Sequence, residues 1–146
     1  MKVLVQRVRT AEVRVSSETI ARIGKGLLVF LGVERNDTTE DVHYFADKVA
    51  HLRIFEDGDG KMNISSLEVG GEVLVVSQFT LAATTRRGKR PSFDNVAPHE
   101  KARLLYELFM DRLRETGLKV GSGRFQEKME VDLINDGPVT FMIDPK

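Results

Sequence analysis

The chain has 146 residues, about the length of one domain, and its charge is balanced, with 22 Lys and Arg against 22 Asp and Glu. This balance gives no indication of a polyanion or membrane partner, so contact with a nucleic acid would require a local basic patch. The absence of cysteine excludes disulfides, thiolate catalysis and zinc–thiolate sites.

The first ten residues, MKVLVQRVRT, place Arg7 and Arg9 where a secretory signal would need an unbroken apolar stretch. No segment of the chain reaches the roughly eighteen apolar residues of a membrane-spanning helix. We therefore expect a single cytoplasmic domain over residues 1–146, with no membrane partner.

The first third of the chain has the alternating, Val- and Ile-rich pattern of strands separated by short turns. The predicted strands are KVLVQRV, AEVRVS, TIARIG and GLLVFLGV. From Thr39 the period changes to that of a helix, with Thr38 or Thr39 as its N-cap. The apolar positions of this first helix are Val42, Phe45, Ala46, Val49 and Leu52.

The remainder alternates between loops, strands and a second helix. EDGDGKMN predicts a loop, EVLVVSQFTL a buried strand, and TTRRGKRPSF a long irregular connection. The second helix begins near Pro98 and ends at Gly117. The last predicted strands are KVGSGRF, MEVDLI and VTFMI. Together the pattern predicts an α+β fold, with a mixed β-sheet or barrel-like core and two main helices.

Common catalytic and metal-binding patterns are absent from the sequence. There is no Gly-x-Ser-x-Gly elbow, and DGDGKMN has Lys61 and Met62 where a calcium loop needs a ligand and a glycine. The three histidines, His43, His51 and His99, lack metal-ligand spacing. We therefore expect neither a metal nor a cofactor.

Two polar stretches are candidates for a site. SQFTL places Ser77, Gln78 and Thr80 at the end of a strand that otherwise has a core pattern, where scaffolds deliver site residues, although a strand that ends in solvent has the same pattern. RRGKRPSF clusters four basic residues before Phe93, an arrangement suited to phosphates and a stacked base, although most short basic runs are simply solvated.

A third stretch, NDGPVT, is interpreted as a turn between MEVDLI and VTFMI. Asn, Asp and Gly tolerate the positive φ of tight hairpin turns. Pro138 instead removes an N–H and makes Gly137–Pro138 the bond where a cis peptide costs only about 0.5–1 kcal/mol. An ordinary hairpin ending in an edge-strand proline and a functional turn both agree with these residues.

Seven segments in this order and spacing resemble the D-aminoacyl-tRNA deacylases, also called D-tyrosyl-tRNA deacylases. They are GLLVFLGV, LRIFED, GKMNIS, SQFTL, GKRPSF, LYELF and NDGPVT. The resemblance runs from Met1 to about Asp144 and includes both signature motifs, Ser-Gln-Phe-Thr and Asn-x-Gly-Pro-Val-Thr. One departure is visible, because this chain has Gln126 and Glu127 where the family often carries Gly-Ala.

The resemblance implies a cytoplasmic, homodimeric, metal-independent hydrolase with the deacylase fold. Such enzymes cleave the ester between a D-amino acid, or glycine, and the 3′-terminal adenosine of tRNA. An activated ester beside a ribose hydroxyl needs little acid–base help, so positioning and oxyanion stabilisation can suffice. The backbone N–H groups of Phe79 and Thr80 are then expected to polarise the carbonyl, while Ser77 and Gln78 orient the adenosine. Thr80 as a covalent nucleophile is the alternative, and the sequence shows no base to activate it.

The resemblance also implies how L-aminoacyl-tRNA is rejected. In the family, Gly137–Pro138 is cis and reaches into the partner subunit's pocket, where its carbonyl oxygens occupy the space of an L side chain. Arg7 is expected to hold this turn, and Phe125 and Met129 to form the pocket wall. Arg86, Arg87, Lys89 and Arg90 are expected to contact tRNA phosphates. The competing hypothesis is a nucleic-acid-binding module with the same fold and no hydrolysis.

Overall fold

The structure, a computed structural model, describes residues 1–146, and its strands form two sheets. The strands of the main sheet are β1 (Lys2–Val15), β2 (Glu18–Ile23), β3 (Gly26–Gly32), β6 (Glu72–Ser77), β7 (Lys119–Ser122) and β8 (Glu130–Ile143). A separate two-stranded sheet consists of β4 (Arg53–Glu56) and β5 (Met62–Ser65). The helices are α1 (Thr39–His51), α2 (Ser66–Val69) and α3 (His99–Glu115).

The main sheet is mixed and curled. β2 and β3 follow one another along one edge of β1, antiparallel to it, and β8 pairs along its other edge. β6 and β7 then extend the sheet from β3 in parallel. Because β2 also contacts β6 and β7, the sheet curls towards a barrel. The predicted α+β class with a barrel-like mixed sheet is therefore confirmed.

The two main helices predicted from the sequence, α1 and α3, are present, and they cover one face of this sheet. α1 begins at Thr39 with Thr38 as its N-cap, and the side chains of Thr38 and Asp41 form a capping box. The apolar faces of α1 and α3 pack against the sheet in a core of 25 buried residues, which includes Phe45 and Phe109. A second core of seven buried residues lies inside the curled sheet. No helix combines the length and apolar character needed to cross a membrane.

Several sequence predictions about elements are wrong. KVLVQRV and AEVRVS form one continuous strand, β1. The ends of the predicted loop EDGDGKMN belong to two short strands, RIFE (β4) and MNIS (β5), which the sequence pattern does not reveal because each is only four residues long. The α2 turn was also not predicted. The strand over EVLVVSQFTL ends at Ser77 and continues as a 3-10 turn, Phe79–Ala82.

The interpretation of Asn135–Thr140 as a chain-reversing hairpin is also wrong. Both flanking segments pair with β1 in the same direction, with Val8 opposite Asn135 and Gln6 opposite Thr140. Residues 136–139 therefore bulge out of one continuous strand, β8, opposite the single residue Arg7. We call residues 136–139 the β8 bulge.

Candidate active site

A cleft of about 850 Å³ opens where the parallel strands β3, β6 and β7 end. Its walls come from segments 33–35, 76–79, 93–102 and 125–131. Three of these segments follow the carboxyl ends of adjacent parallel strands, which is where such sheets commonly place ligand sites. The fourth leads into the first turn of α3. The sheet topology therefore brings residues far apart in sequence to one edge.

The SQFT motif forms one wall of this cleft. The N–H of Gln78 donates to the Leu31 carbonyl at 2.8 Å, so the motif is tied to β3 where β6 ends. Ser77 and Gln78 are half-buried and Phe79 is 56% exposed, and all three line the cleft. Thr80 is exposed just beyond the lining residues, and its Oγ1 accepts a hydrogen bond from Gln78 Nε2.

The 3-10 turn leaves two backbone donors free beside the cleft. The first residues of a helical turn have N–H groups with no partner within the turn. Here these residues are Phe79 and Thr80, and no backbone carbonyl elsewhere accepts from them, whereas the next N–H, of Leu81, donates to Gln78 O at 3.1 Å. The predicted oxyanion donors are therefore unoccupied and adjacent.

Another wall of the cleft contains Phe125 and Met129, the two apolar residues predicted for the pocket wall. The Phe125 ring packs on Tyr106, with 5.8 Å between ring centroids. Tyr106 is buried, and its hydroxyl donates to the Val75 carbonyl at 2.9 Å. Burial raises the pKa of Tyr106 to about 12, because the charged phenolate is poorly solvated there. Tyr106 thus supports the cleft wall from within the core.

Sequence reasoning missed several cleft residues. Arg35 follows β3, and Pro98 and His99 begin α3, yet all three line the cleft. The spacing of the histidines in the sequence gives no indication that His99 lies at the cleft. The parallel pairing of β3 with β6 would have indicated Arg35 as a cleft residue, because it places the end of β3 beside the SQFT motif. That pairing is nonlocal, and the residue pattern does not specify it.

The basic residues lie outside the cleft, at the tip of an exposed loop. A bridge between Thr84 and Ser92 closes this loop, which we call the basic hairpin (residues 84–92). Its four cations are exposed, and none takes part in a salt bridge or side-chain hydrogen bond within the chain. They are Arg86, Arg87, Lys89 and Arg90. The adjacent Phe93 reaches back to the cleft, where its ring lies 5.4 Å from that of Phe79.

Arg7 lies under the β8 bulge. Its guanidinium is buried and donates to the carbonyls of Asp136 at 2.8 Å and Ile54 at 2.6 Å. Asn135 Nδ2 donates to the carbonyls of Arg7 and Val139, at 3.0 and 2.9 Å. Arg7 is therefore placed to hold the bulge, as the resemblance implies.

The exposed tip of the bulge is Gly137–Pro138, and the peptide bond between these residues is cis, as the resemblance implies. Neither residue lines the cleft of its own chain, and neither does Arg7. A direct role of these three residues in substrate binding therefore stays a prediction that requires a second subunit. No three His, Asp or Glu side chains cluster in a way that could hold a metal ion.

Comparison with known proteins gives consistent matches along the chain. The family model described as D-Tyr-tRNA(Tyr) deacylase matches residues 4–144. The chain is 57% identical over 144 residues to a D-aminoacyl-tRNA deacylase of Thermotoga petrophila, an alignment that covers 99% of this chain and 97% of that protein. It is 53% identical over 146 residues to a D-aminoacyl-tRNA deacylase of Thermodesulfovibrio yellowstonii, with all of both chains covered.

Two solved structures share the fold. One is described as a c-Myc DNA Unwinding Element Binding Protein, with a TM-score of 0.93, 39% identity and coverage of 99% of this chain and 98% of that one. The other is described as a probable eukaryotic D-amino acid tRNA deacylase, with a TM-score of 0.84, 18% identity and 97% coverage of each chain. The sequence matches extend over nearly the whole chain, which therefore belongs to the D-Tyr-tRNA(Tyr) deacylase family.

Proposed function

We propose that this chain hydrolyses the ester bond of D-aminoacyl-tRNA, and of mischarged glycyl-tRNA, releasing the free amino acid and tRNA. The observation that carries the proposal is the cleft whose wall is the SQFT motif, in a chain 57% identical to a D-aminoacyl-tRNA deacylase. We further propose that residues 1–146 act as one domain and that the protein works in the cytoplasm, where aminoacyl-tRNA is used.

In the reaction we propose, water adds to the ester carbonyl carbon, the bond to the ribose 3′ oxygen breaks, and that oxygen takes up a proton. The free N–H groups of Phe79 and Thr80 are suited to stabilise the negative charge that develops on the carbonyl oxygen. Ser77 and Gln78 position the terminal adenosine, and the neighbouring 2′-hydroxyl assists the water. Phe125 and Met129 form the wall against which the substrate lies.

Rejection of L-aminoacyl-tRNA is assigned to a second subunit. A thousandfold preference requires about 4 kcal/mol, which a rigid obstacle supplies better than a side chain that can rotate away. We propose that Gly137–Pro138 of one subunit enters the cleft of its partner and that its carbonyl oxygens exclude an L side chain. Glycine has no side chain to exclude and is accepted. The exposure of the β8 bulge and its fixation by Arg7 support this assignment.

The basic hairpin is proposed to contact phosphates near the acceptor end of tRNA. Its four unpaired cations are close enough together to neutralise successive phosphates, although the protein as a whole has no net charge. Such contacts would position the tRNA without reading its sequence.

A second candidate function is nucleic-acid binding without hydrolysis. The observation that favours it is the 39% identity to a protein described as binding a DNA unwinding element, together with the exposed basic hairpin. The complete SQFT and NDGPVT motifs favour the deacylase, because a module that only binds nucleic acid would need the basic hairpin and not both of these motifs.

A deacylation panel separates these functions. Purified protein at substoichiometric concentration is incubated with D-tyrosyl-, L-tyrosyl- and glycyl-tRNA, and release of the amino acid is followed. The deacylase proposal predicts multiple turnovers on the D and glycyl esters and little release from the L ester. No release from any of the three, with tRNA still bound, favours the binding module.

A further inference from the structure

Gln126 combines two features that occur together at no other residue of the chain. It lines the cleft, and its φ is 66°, in the left-handed region that residues with a Cβ normally avoid. Like Ser16 and Ser17, which lie in the turn between β1 and β2, Gln126 lies in a turn, closed by the Glu127 N–H donating to the Arg124 carbonyl at 3.3 Å. The turn thus holds Gln126 in this left-handed conformation at the edge of the cleft, and among the residues with positive φ only Gln126 lines it.

The surroundings leave the Gln126 side chain free for a ligand. Its amide makes no hydrogen bond within the chain and is exposed. The next residue, Glu127, also lines the cleft, but its carboxylate lies 3.9 Å from the Arg124 guanidinium and is thus partly neutralised. A neutral donor and acceptor therefore stand side by side on this wall.

The same segment, residues 125–129, supplies two apolar cleft-lining side chains. Phe125 precedes Gln126 and is fixed by its contact with the buried Tyr106. Met129 packs its sulfur against Gly123, where any Cβ would lie 2.5 Å from Sδ. An aromatic ligand that packs against these cleft-lining side chains would lie close to Gln126, which follows Phe125 directly in the chain.

We propose that Gln126 reads the edge of the terminal base of tRNA while that base lies on Phe125 and Met129. This inference rests on the proposed deacylase function. A carboxamide pairs with adenine because its oxygen accepts from the 6-amino group while its NH₂ donates to a ring nitrogen. Single-stranded RNA ends are generally recognised by such stacking combined with hydrogen bonds to the base edge.

The test uses two minimal substrates, the D-tyrosyl esters of adenosine and of purine riboside, which lacks only the 6-amino group. The 6-amino group lies on both hydrogen-bonding edges of adenine. Its loss therefore removes one hydrogen bond to the Gln126 amide, whichever edge faces that amide. We expect kcat/KM of the wild-type protein to be about tenfold lower on the purine riboside ester. In Gln126→Gly, the value for the adenosine ester should fall about tenfold, and the ratio between the two esters should approach one.

Ser17→Gly is the matched control, because it relieves a similar φ of 67° away from the cleft. Both variants should raise the Tm by about 2–4 °C, since glycine accepts this conformation without a steric penalty. Only Gln126→Gly should change the ratio between the esters. This stability gain also shows that Gln126→Gly is folded.

Equal kcat/KM of the wild-type protein on the two esters would overturn the base-reading role. The role would also be overturned if Gln126→Gly kept the tenfold ratio of kcat/KM between the adenosine and purine riboside esters. The same holds if the substitution lowered kcat/KM equally on both esters, because Gln126 would then act on another part of the substrate. If the wild-type protein releases no D-tyrosine from either ester or from D-tyrosyl-tRNA, the deacylase proposal itself fails, so the two failures are distinguishable.

Discussion

Thr80 has a hydroxyl near the cleft, but its surroundings do not make it a nucleophile. Its one hydrogen-bond partner is Gln78 Nε2, a donor that cannot take up a proton. An activated hydroxyl needs an adjacent base. At the scale of single residues, the expected contribution of Thr80 to hydrolysis is therefore its backbone N–H. The cleft wall depends on residues packed behind it, such as Tyr106.

Replacing the Thr80 hydroxyl by a methyl group tests this assignment. Thr80→Val keeps the shape of the side chain and the backbone N–H, so single-turnover hydrolysis of D-tyrosyl-tRNA should stay within about threefold of the wild-type rate. A tRNA with a 2′-deoxy terminal ribose should instead lose about a hundredfold or more, since it lacks the assisting hydroxyl. A loss of that size in Thr80→Val on normal tRNA would restore the nucleophile.

The buried Tyr106 should make the free energy of unfolding fall at alkaline pH. Its folded-state pKa of about 12 lies above the value of about 10 for a tyrosine in an unfolded chain. The protonated form is thus favoured by folding, and this contribution is fully present below pH 10 and is lost as the pH rises through 12. The loss is on the order of 2–3 kcal/mol.

Urea unfolding at pH 8, 10 and 11.5 measures this effect, with Tyr106→Phe as the control. At pH 8 the wild-type protein should be more stable by about 1 kcal/mol, owing to the hydrogen bond to the Val75 carbonyl. That advantage should shrink or reverse at pH 11.5, because phenylalanine cannot ionise. An advantage that stays constant across these pH values contradicts the burial argument.

At the scale of elements, the cleft depends on how closely β3 and β6 approach one another. Their parallel pairing begins at Gly26 opposite Glu72, where a Cβ on Gly26 would lie 1.8 Å from the Glu72 carbonyl oxygen. The pairing ends with Leu31 opposite Ser77, next to the SQFT motif. The glycine at the start of β3 therefore permits the register that positions the motif at its end.

Substitution at this glycine should be strongly destabilising. We expect Gly26→Ala to lower the free energy of unfolding by about 3 kcal/mol, because the strands must separate or shift. Gly24→Ala is the control, since a Cβ there meets nothing within 4 Å and its effect should be within about 0.5 kcal/mol. Denaturant unfolding of both variants measures the difference, and equal effects would show that the close approach does not matter.

At the scale of the whole molecule, two exposed surfaces are expected to bind partners, one tRNA and the other a second copy of the chain. The basic hairpin is one. The other is the set of exposed apolar side chains on β8 that flank the β8 bulge, namely Ile134, Phe141 and Met142, at 57%, 38% and 50% exposure. Exposed apolar side chains next to a protruding bulge are typical of an interface with another copy of the chain.

The basic hairpin should act on tRNA binding and not on the chemistry. Arg86→Gln/Arg87→Gln should weaken tRNA binding and lower the slope of log affinity against log salt by about 1–2. Hydrolysis of a D-aminoacyl-adenosine should be unchanged. The double variant Arg103→Gln/Arg112→Gln on α3, whose cations already pair with Glu107 and Glu115, serves as a charge-matched control. Equal losses on tRNA and on the truncated ester would sink this assignment.

The exposed apolar side chains of β8, together with the protruding bulge, predict a homodimer that is needed for activity. Sedimentation at micromolar concentration should give a dimer for the wild-type protein. Ile134→Asp should shift it to a monomer with reduced deacylation, because burying a lone carboxylate is costly. Leu104→Asp, on an equally exposed apolar residue of α3, should remain dimeric. An active wild-type monomer would contradict the proposed role of Gly137–Pro138 in the partner's cleft.

The sequence by itself determined the local features of this protein. The helical period from Thr39 and the cap at Thr38 predict α1, because side-chain spacing and capping act within one or two turns. The SQFT and NDGPVT motifs indicate the family in the same local way. These features depend only on neighbouring residues, so the linear pattern is sufficient.

The tertiary structure decided what depends on pairing between distant strands. The pattern of NDGPVT is that of a hairpin, yet the pairing of β8 with β1 converts it into a bulge fixed by Arg7, a residue about 130 positions away in sequence. Likewise, only the parallel alignment of β3, β6 and β7 places Gln126 and Arg35 in one cleft with SQFT, to which the start of α3 adds His99. Register and curvature arise from packing over the whole sheet, and no single segment encodes them.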